Sequence, residues 1–339
     1  TDAEGNETAF TYDTMGNVLT KRDGRNKTWR YTYNNTGKLL TATDPENRTT
    51  TYTYDGSGNR IKETDPLSKE KNFTYDGRNR LLTMTDALGN TARMAYNGDG
   101  KLIRQTDGEG KQVHYTYDTE GRLTETEDGN GNTITQIYAE TGGGCSSCSG
   151  GTALPVATVY PTFSREYGYD KRYRKLQERD ISTETGTLTT SFTYDNAGNL
   201  TSKKDKEGKT TTYVYDSLNR LVKVIDPLNG ETAYTYDNRD NLIALKDAKN
   251  QVTTFTYDRN NRLTKERRPL GQETNYQYDG NGNLIKKTDP LGQRIEYGYD
   301  DANRMTAIRH YGSGNTLVKT VSLTYDNAGN LKTYSDGTT

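Results

Sequence analysis

Apolar and polar residues alternate over short stretches of this chain, and no stretch shows the apolar stripe of an amphipathic helix. Aromatic residues recur two positions apart, as in Tyr31 and Tyr33 or Phe73 and Tyr75. Because the side chains of a strand alternate between its two faces, this spacing places both rings on one face. The pattern therefore predicts short β-strands throughout the chain, with aromatic rings sharing a face.

The aromatic pairs recur with a period of 21 residues. The landmark tyrosines that mark the copies are Tyr12, Tyr33, Tyr54, Tyr75, Tyr96, Tyr117, Tyr138, Tyr169, Tyr194, Tyr215, Tyr236, Tyr257, Tyr278, Tyr299 and Tyr325. The spacing of these fifteen copies is irregular only at 138–169, 169–194 and 299–325. A constant period of this length is typical of a repeat architecture in which each copy is one supersecondary unit.

Each landmark tyrosine is followed by a signal for a tight turn. An Asp comes directly after most of these tyrosines, and its side chain can accept hydrogen bonds from nearby backbone N–H groups. The residue four positions after the tyrosine is Gly, Asn or Asp in nearly every copy, which predicts a left-handed backbone there. The residues that define the repeat include Tyr12, Asp13, Gly16, Tyr54, Asp55, Gly58, Tyr117, Asp118, Gly121, Tyr194, Asp195, Gly198, Tyr278, Asp279 and Gly282.

A short strand then leads to a second turn in each copy. This turn begins with Asp-Pro at Asp44-Pro45, Asp226-Pro227 and Asp289-Pro290. Proline presets φ for the turn, and a Gly or Asn typically closes it. Each copy is therefore predicted to be a hairpin of two strands of about six residues.

The number of copies predicts the architecture. Fifteen hairpins give roughly thirty strands, whereas a twisted open sheet rarely exceeds about ten strands without curling or splitting. A constant period also gives each hairpin the same rotation relative to its neighbour. The predicted fold is all-β: an array of antiparallel hairpins coiled into a single-layer β-spiral or hollow shell.

Composition agrees with a sheet one layer thick. Only 29% of the residues are apolar, too few to fill two ordinary cores, whereas 27 tyrosines suit a half-solvated sheet surface. The 45 basic and 46 acidic residues balance, so charge gives no reason to expect a nucleic acid or an acidic membrane as partner. No apolar run approaches the about 20 residues of a membrane-spanning helix. We therefore expect no membrane insertion by this segment.

The repeat resembles the YD repeat of the RHS family, which includes bacterial Rhs toxins, toxin-complex shell subunits and teneurins. The run Tyr278-Asp279-Gly280-Asn281-Gly282-Asn283-Leu284 with Asp289-Pro290-Leu291-Gly292 is a near-complete copy of it. The resemblance divides the chain into a first block of repeats at 1–138, a Gly/Ser-rich CxxC insertion at 139–165 and a second block at 166–339. It implies a hollow β-shell that houses a cytotoxic or unfolded polypeptide, or an adhesive ectodomain, in a secreted or cell-surface protein.

The chain also departs from the family pattern. Bacterial shells of this family resemble one another in a C-terminal core that cleaves its own chain with paired aspartates. The sequence ends in plain repeats from Tyr325 to Thr339, so no autoproteolytic residue can be assigned to any position. Its first residues fit the middle of a repeat, and we expect the sequence to be a segment of a longer protein.

The insertion contains the strongest candidate for chemistry. Cys145 and Cys148 lie in a glycine-rich stretch, where they are candidates for a local disulfide or for a crosslink to a partner. A tetrahedral metal site needs four ligands, and the chain has only two Cys and two His, so a metal would have to be shared between chains. The third interpretation is a flexible insertion whose cysteines have no specific role.

Other candidate sites are weaker. Asp128–Asn132 begins like an EF-hand loop, but the glycine at its sixth position is missing and its twelfth position is Ala139. Turn capping explains the recurrent aspartates better. His114 lies on a predicted strand, and His310 occupies the position of the usual second-turn Asp, without a Ser or Cys partner for either. We predict no catalytic, cofactor-binding or metal-binding residue and no cofactor.

Three functions fit these features, and none of them is enzymatic. The first is the structural wall of an RHS-type shell around a toxin-like polypeptide cargo. The second is an extracellular adhesion module, because tyrosine faces stack on glycans. The third is a self-assembling extracellular filament or tube, in which copies of the chain join at open sheet edges. The expected partners are accordingly a polypeptide cargo, other copies of the chain or glycans.

Overall fold

The computed structural model describes residues 1–139 and 154–337, and within them the chain forms thirty strands. The strands of the first part are β1 (Ala9–Tyr12), β2 (Val18–Arg22), β3 (Thr28–Tyr33), β4 (Leu39–Thr43), β5 (Thr49–Tyr54), β6 (Arg60–Thr64), β7 (Glu70–Tyr75), β8 (Leu81–Thr85), β9 (Thr91–Tyr96), β10 (Leu102–Thr106), β11 (Gln112–Tyr117), β12 (Leu123–Glu127) and β13 (Thr133–Tyr138). The second part has β14 (Pro155–Val159), β15 (Ser164–Tyr169), β16 (Lys175–Ser182), β17 (Gly186–Tyr194), β18 (Leu200–Lys204), β19 (Thr210–Tyr215), β20 (Leu221–Ile225), β21 (Glu231–Tyr236), β22 (Leu242–Lys246), β23 (Val252–Tyr257), β24 (Leu263–Arg267), β25 (Glu273–Tyr278), β26 (Leu284–Thr288), β27 (Arg294–Tyr299), β28 (Met305–Tyr311), β29 (Leu317–Tyr325) and β30 (Leu331–Ser335). The strands are assigned to one sheet, and the one helical element in the described residues is a 3-10 turn at Pro269–Gly271. The prediction of an all-β array of antiparallel hairpins is confirmed.

The two strands of a hairpin change register at the landmark tyrosine. Between β3 and β4, Thr32 pairs with Thr41, but Tyr33 pairs with Leu39. The extra residue is a β-bulge, and it follows from the turn: Gly37 adopts φ +76°, which is the αL position of a bulge that closes a short hairpin loop. The recurrent Gly or Asn therefore sets both the turn and the strand register.

The sheet has almost no buried apolar core. Among the described residues, only Ala307 and Val321 are apolar and buried. Large side chains at turn tips are exposed, with Leu228 and Leu270 at 90% and 98%. Most side chains are therefore only partly buried, and hydrogen bonds between neighbouring strands contribute much of the stabilisation.

The chain divides into two compact units. Unit 1 comprises Thr1–Arg80, Thr235–Lys246 and Asn250–Thr339. Unit 2 comprises Leu81–Tyr234 and Asp247–Lys249. Unit 1 brings together segments from opposite ends of the sequence, whereas unit 2 consists almost entirely of consecutive strands.

Part of the region that the sequence assigns to the insertion is a regular strand. Pro155–Val159 pairs with β13, where Ile137 lies opposite Ala157, and also with β15. The sheet of unit 2 thus continues on the far side of the Cys-containing segment. Cys145 and Cys148 themselves lie outside the described residues.

The prediction that His310 takes the place of a second-turn Asp is wrong. His310 lies in β28, which has seven residues where β26 has five. The longer strand moves the turn two residues onward, to Gly312, whose N–H donates to the carbonyl of Thr316 at 2.9 Å. This turn therefore starts with a glycine, and His310 is a strand residue.

Candidate functional site: the turns, the tyrosine ladder and the seam

Most first turns are closed by an aspartate. The carboxylate of Asp118 accepts hydrogen bonds from the backbone N–H groups of Glu120 and Arg122, at 3.0 and 2.8 Å. Its second oxygen accepts a 2.7 Å bond from the Arg122 guanidinium. Gly121 completes the turn with φ +77°. All the carboxylate contacts of this turn are therefore structural.

The same arrangement recurs along the array. Asp13, Asp55, Asp195 and Asp279 each accept the side-chain amide of an Asn four residues later, at 2.9 to 3.0 Å. This side-chain bond is the main reason why the pKa values of Asp13, Asp55 and Asp195 lie below the ordinary carboxyl value. The left-handed glycines of these turns are Gly16, Gly58, Gly198 and Gly282.

The loop that resembles an EF-hand start is a second turn, between β12 and β13, with the same arrangement. Asp128 accepts the N–H groups of Asn130 and Asn132 and the Asn132 side-chain amide. Within residues 1–139 and 154–337, no cluster of three or more His, Cys, Asp or Glu is arranged to hold a metal.

His114 lies on β11 with its Nε2 beside the side-chain oxygen of Gln112 at 3.2 Å. Its recorded polar partner is thus a glutamine and not a nucleophile.

The landmark tyrosines form a ladder from hairpin to hairpin. The hydroxyl of Tyr54 donates a 2.9 Å hydrogen bond to the carbonyl of Leu39, in the preceding hairpin. The backbone pairs that join β4 to β5 end at Thr41 and Thr51, so the tyrosine reaches beyond the end of the backbone ladder. Equivalent bonds are made by Tyr75, Tyr96, Tyr117, Tyr138, Tyr169, Tyr194, Tyr257, Tyr278, Tyr299 and Tyr325.

This ladder assigns the tyrosines a packing role. Partial burial raises the pKa of Tyr117 and Tyr278 above the ordinary phenol value. A hydroxyl that already donates to a backbone carbonyl has no donor left for a glycan. The landmark tyrosines thus fasten adjacent hairpins together.

Arginine at the position after the left-handed residue ties one hairpin to the next. Arg262 bonds its own turn at Asp258 (2.6 Å), lies 5.0 Å from the ring centre of Tyr278 and donates to the carbonyl of Asp279 at 3.1 Å. Its charge is therefore shared between the carboxylate, an aromatic face and a peptide oxygen of the next copy. Copies with Asn at this position use another link.

In four of those copies, the Asn side chain donates to a left-handed Asn in the next hairpin. The four links, at 2.8 to 3.0 Å, are Asn59–Asn79, Asn199–Asn219, Asn241–Asn261 and Asn283–Asn303. Every left-handed Asn at this position thus has an Asn 20 residues earlier. The signal is visible in the sequence, but our sequence reasoning missed it.

Unit 1 also contains a seam where turns from opposite ends of the chain meet. The side-chain amides of Asn260 and Asn281 donate to the carboxylates of Asp2 and Asp23, at 2.7 and 2.6 Å. Arg304 donates to Glu46 at 3.0 Å. All three contacts join residues that are 258 apart in the sequence. Second turns of the early copies therefore pack in constant register on first turns of the copies twelve positions later.

The seam brings backbone close to backbone. A Cβ on Gly24 would lie 2.7 Å from the carbonyl oxygen of Gly280, so no larger residue fits there without a shift. Asp23 is buried beside this contact. Lys27 adds a salt bridge to Asp301 at 2.8 Å. A close backbone approach, a side-chain hydrogen bond and a salt bridge thus join distant copies at the seam.

No helix among the described residues is long and apolar enough to span a membrane.

A family model for the teneurin YD-shell matches residues 1–142 and 157–338. No curated protein matches the chain.

Solved structures with a similar fold come from toxin complexes. The crystal structure of TcdB2-TccC3 without its hypervariable C-terminal region superimposes with a TM-score of 0.75 at 16% identity, over 97% of this chain and 21% of that one. TcdB2-TccC3-Cdc42 gives 0.74 at 16% identity over 97% and 22%. The Photorhabdus luminescens Tc holotoxin pore with the TccC3-D651A mutation gives 0.57 at 15% identity over 97% and 22%. The chain spans about a fifth of the length of these solved chains, and at these identities the likeness shows the fold alone.

Proposed function

The chain belongs to the teneurin YD-shell family, and we propose that it forms part of the wall of a shell that encloses a polypeptide. The seam of unit 1 carries this proposal. Its hydrogen bonds join second turns to first turns in constant register, at Asp2, Asp23 and Glu46. A sheet strip that bonds to its own edge makes a wall without a gap at the joint, which suits a container better than an open surface.

The wall is proposed to act without catalysis. The recurrent carboxylates accept hydrogen bonds from the amides of their own turns, as Asp118 does. A group that recurs in most copies as a structural element does not form a unique active site. The scarcity of buried apolar residues fits a barrier one sheet thick. The chain would contribute strength and enclosure, and any chemistry would belong to other segments.

The proposed partner is a polypeptide, and the proposed location is extracellular or at the cell surface. The similar structures contain several components, as the names TcdB2-TccC3-Cdc42 and Tc holotoxin pore indicate. A shell wall in such an assembly would meet both its cargo and neighbouring subunits. A secreted shell would also deliver its cargo outside the producing cell.

The two alternatives from the sequence have less support. Glycan binding through tyrosine hydroxyl donors would compete with the ladder, which already uses the hydroxyls of Tyr54 and Tyr278. A filament would need edges of separate copies to join, whereas the seam observed in unit 1 joins a chain to itself. Electron micrographs of the purified chain separate these cases, since discrete monomeric particles would exclude the filament.

A test of enclosure compares the two faces of one strand. Thr41 and Ala42 are neighbours on β4 and therefore point to opposite faces: Thr41 bonds Thr32 at 2.6 Å, and Ala42 lies opposite Tyr31. A photo-crosslinking amino acid would replace either residue in the intact natural assembly. Crosslinks to a polypeptide outside the repeats, from only one of the two positions, would support enclosure. No crosslink from either position, or equal crosslinking from both, would contradict it.

A further inference from the structure

The two longest pairs of strands that a second turn joins, called the long hairpins, have the same design. β16 and β17 have eight and nine residues, and β28 and β29 have seven and nine. The strand before each hairpin ends in Glu-Tyr-Gly-Tyr, at 166–169 and 296–299. Thr190 and Val321 occupy equivalent register positions, opposite Glu178 and Ile308, and both are buried. The first of these hairpins lies in unit 2 and the second in unit 1. Because their strands pair in the same register, each residue of one hairpin has an equivalent in the other.

The first hairpin holds a carboxylate between two cations. Asp180, opposite Arg165, accepts bonds from its guanidinium at 2.5 and 2.9 Å. The ammonium of Lys206 contacts the same carboxylate. The hydrogen bond from Arg165 is the main cause that holds the pKa of Asp180 at about 2. Only 12% of this side chain is exposed.

The second hairpin has a different set of residues at these positions. His310 replaces Asp180, Ile295 replaces Arg165, and Lys319 stands where the first hairpin has Leu188. The internal carboxylate is thus gone, and the substitutions add a lysine and a histidine that face each other across the strands. Lys319 therefore has no carboxylate directly opposite it on β28.

A cavity of about 530 Å³ lies at this position. Its charged and basic lining residues are Lys287, Arg294, His310, Lys319 and Asp289. The lining therefore carries three permanent cations and one carboxylate, together with apolar groups. Lys287, Ile295, His310 and Lys319 form one cross-strand row, so their side chains share a face.

Two of these basic groups lack an acidic partner. Lys287 lies 5.9 Å from the ring centre of Tyr276, and neither it nor His310 contacts a carboxylate within residues 1–139 and 154–337. Asp289 uses one oxygen on the N–H groups of its own turn. The row therefore has positive charge that the described chain does not neutralise.

The other two cations are already engaged. Arg294 bonds Glu296 at 2.8 Å and lies 3.8 Å from the ring centre of Tyr311. Lys319 pairs with Asp336 at 3.1 Å, but its ammonium has three donors and can bind a second acceptor. Lys319 can therefore contact an anion in the cavity without losing its bond to Asp336, whereas Arg294 neighbours Ile295 and points to the opposite face of the strand.

We propose that this cavity is a binding site for the carboxylate side chain of an acidic peptide. In the first hairpin the chain places an aspartate at this position between Arg165 and Lys206, and in the second hairpin Lys287 and Lys319 are the ammonium groups in the row beside it. The cavity exceeds the volume of one carboxylate, and Ile295 and Val318 provide apolar contact for the peptide that bears it. The site goes beyond the wall function, since it would bind such a peptide whether or not the shell encloses a cargo.

The test is calorimetric titration of the full chain with a blocked tetra-aspartate peptide at low salt. Wild-type protein should bind this peptide and not the tetra-asparagine peptide. His310→Asp installs the carboxylate of the first hairpin and should weaken binding on the order of tenfold or more, and Lys319→Leu installs the Leu188 equivalent and should also weaken it. Both residues already occur at these positions in the other long hairpin, so the fold should persist, which circular dichroism checks.

Arg309→Gln is the matched control. Arg309 neighbours His310 and points to the opposite face, opposite Glu296 and Thr320, so its loss should leave peptide binding unchanged. The proposal is overturned if the wild type does not bind the acidic peptide, if His310→Asp binds it as well as the wild type, or if Arg309→Gln weakens binding as much as Lys319→Leu. Stronger binding of inorganic phosphate than of the peptide would also overturn the carboxylate assignment.

Discussion

Tyr278 donates a 2.9 Å hydrogen bond to the carbonyl oxygen of Leu263, 15 residues earlier in the preceding hairpin. The face of the same ring receives the guanidinium of Arg262 at 5.0 Å. One side chain thus joins two hairpins through its hydroxyl and its ring at once. In a sheet with almost no buried apolar core, this repeated contact explains why the tyrosine recurs.

Removal of one ladder hydroxyl tests the contribution of this bond. Tyr117→Phe should lower the free energy of unfolding by about 1 kcal/mol, because the Leu102 carbonyl loses its donor. Tyr12→Phe is the control, since Tyr12 is 57% exposed and its hydroxyl has no partner within the described residues. Urea denaturation of both variants measures the difference. Equal losses would show that the hydroxyl bond is not the source.

Gly24→Ala tests the close approach at the seam. The new Cβ would lie 2.7 Å from the Gly280 oxygen, and we expect a loss of roughly 1–3 kcal/mol from overpacking. Gly56→Ala is the matched control, because nothing lies within 4 Å of the Cβ it would add. Thermal denaturation reports stability, and hydrogen exchange around residue 281 reports the seam. Similar behaviour of the two variants would refute the contact.

A substitution at Tyr173 should stabilise the protein. It occupies the left-handed turn position with φ +61°, where the other copies have Gly, Asn or Asp. Tyr173→Asn should raise the free energy of unfolding by roughly 0.5–1 kcal/mol, since bulky residues are strained in this conformation. Lys171→Asn in the same turn should change little, because Lys171 does not have a positive φ. A stabilisation of equal size in both variants would point to a cause other than backbone strain.

Asp180 should make the free energy of unfolding depend on pH in the acidic range. Its pKa of about 2 in the folded state lies below the ordinary value of 3.8, so its contribution is present above the ordinary value and is lost as pH falls through 2. This shift corresponds to roughly 2 kcal/mol. The stability difference between wild type and Asp180→Asn should be largest near neutral pH and smallest near about pH 2. A difference that does not vary with pH would contradict the ion pairing with Arg165 and Lys206.

The sequence contains much of the local structure, because each copy carries its own turn signals. Asp118 and Gly121 close their turn as the residue types predict, and fifteen copies give thirty strands. The asparagine links, such as Asn59 to Asn79, could have been found by comparing neighbouring copies. His310 was misplaced because a fixed offset from Tyr299 ignores the two residues that lengthen β28.

The seam could not be predicted in the same way. Its register depends on a small rotation per hairpin summed over twelve copies, some of which have unequal length. No local pattern around Asp23 or Asn281 specifies the other as partner, since both resemble ordinary turn residues. Cys145 and Cys148 lie outside the described residues, and their proposed disulfide or crosslink stays a prediction.

Zero-length carbodiimide crosslinking of the unmodified chain tests the seam most directly. Lys27 and Asp301 are 274 residues apart in the sequence, yet their charged groups are 2.8 Å apart, close enough for an amide bond to form between them. The account predicts a peptide pair joined at these residues in the monomer fraction, and its loss in Lys27→Arg. Lys62 and Glu70, at 2.9 Å on adjacent strands, serve as the internal reference. Crosslinking of the reference pair without any Lys27–Asp301 product in the monomer would contradict the account.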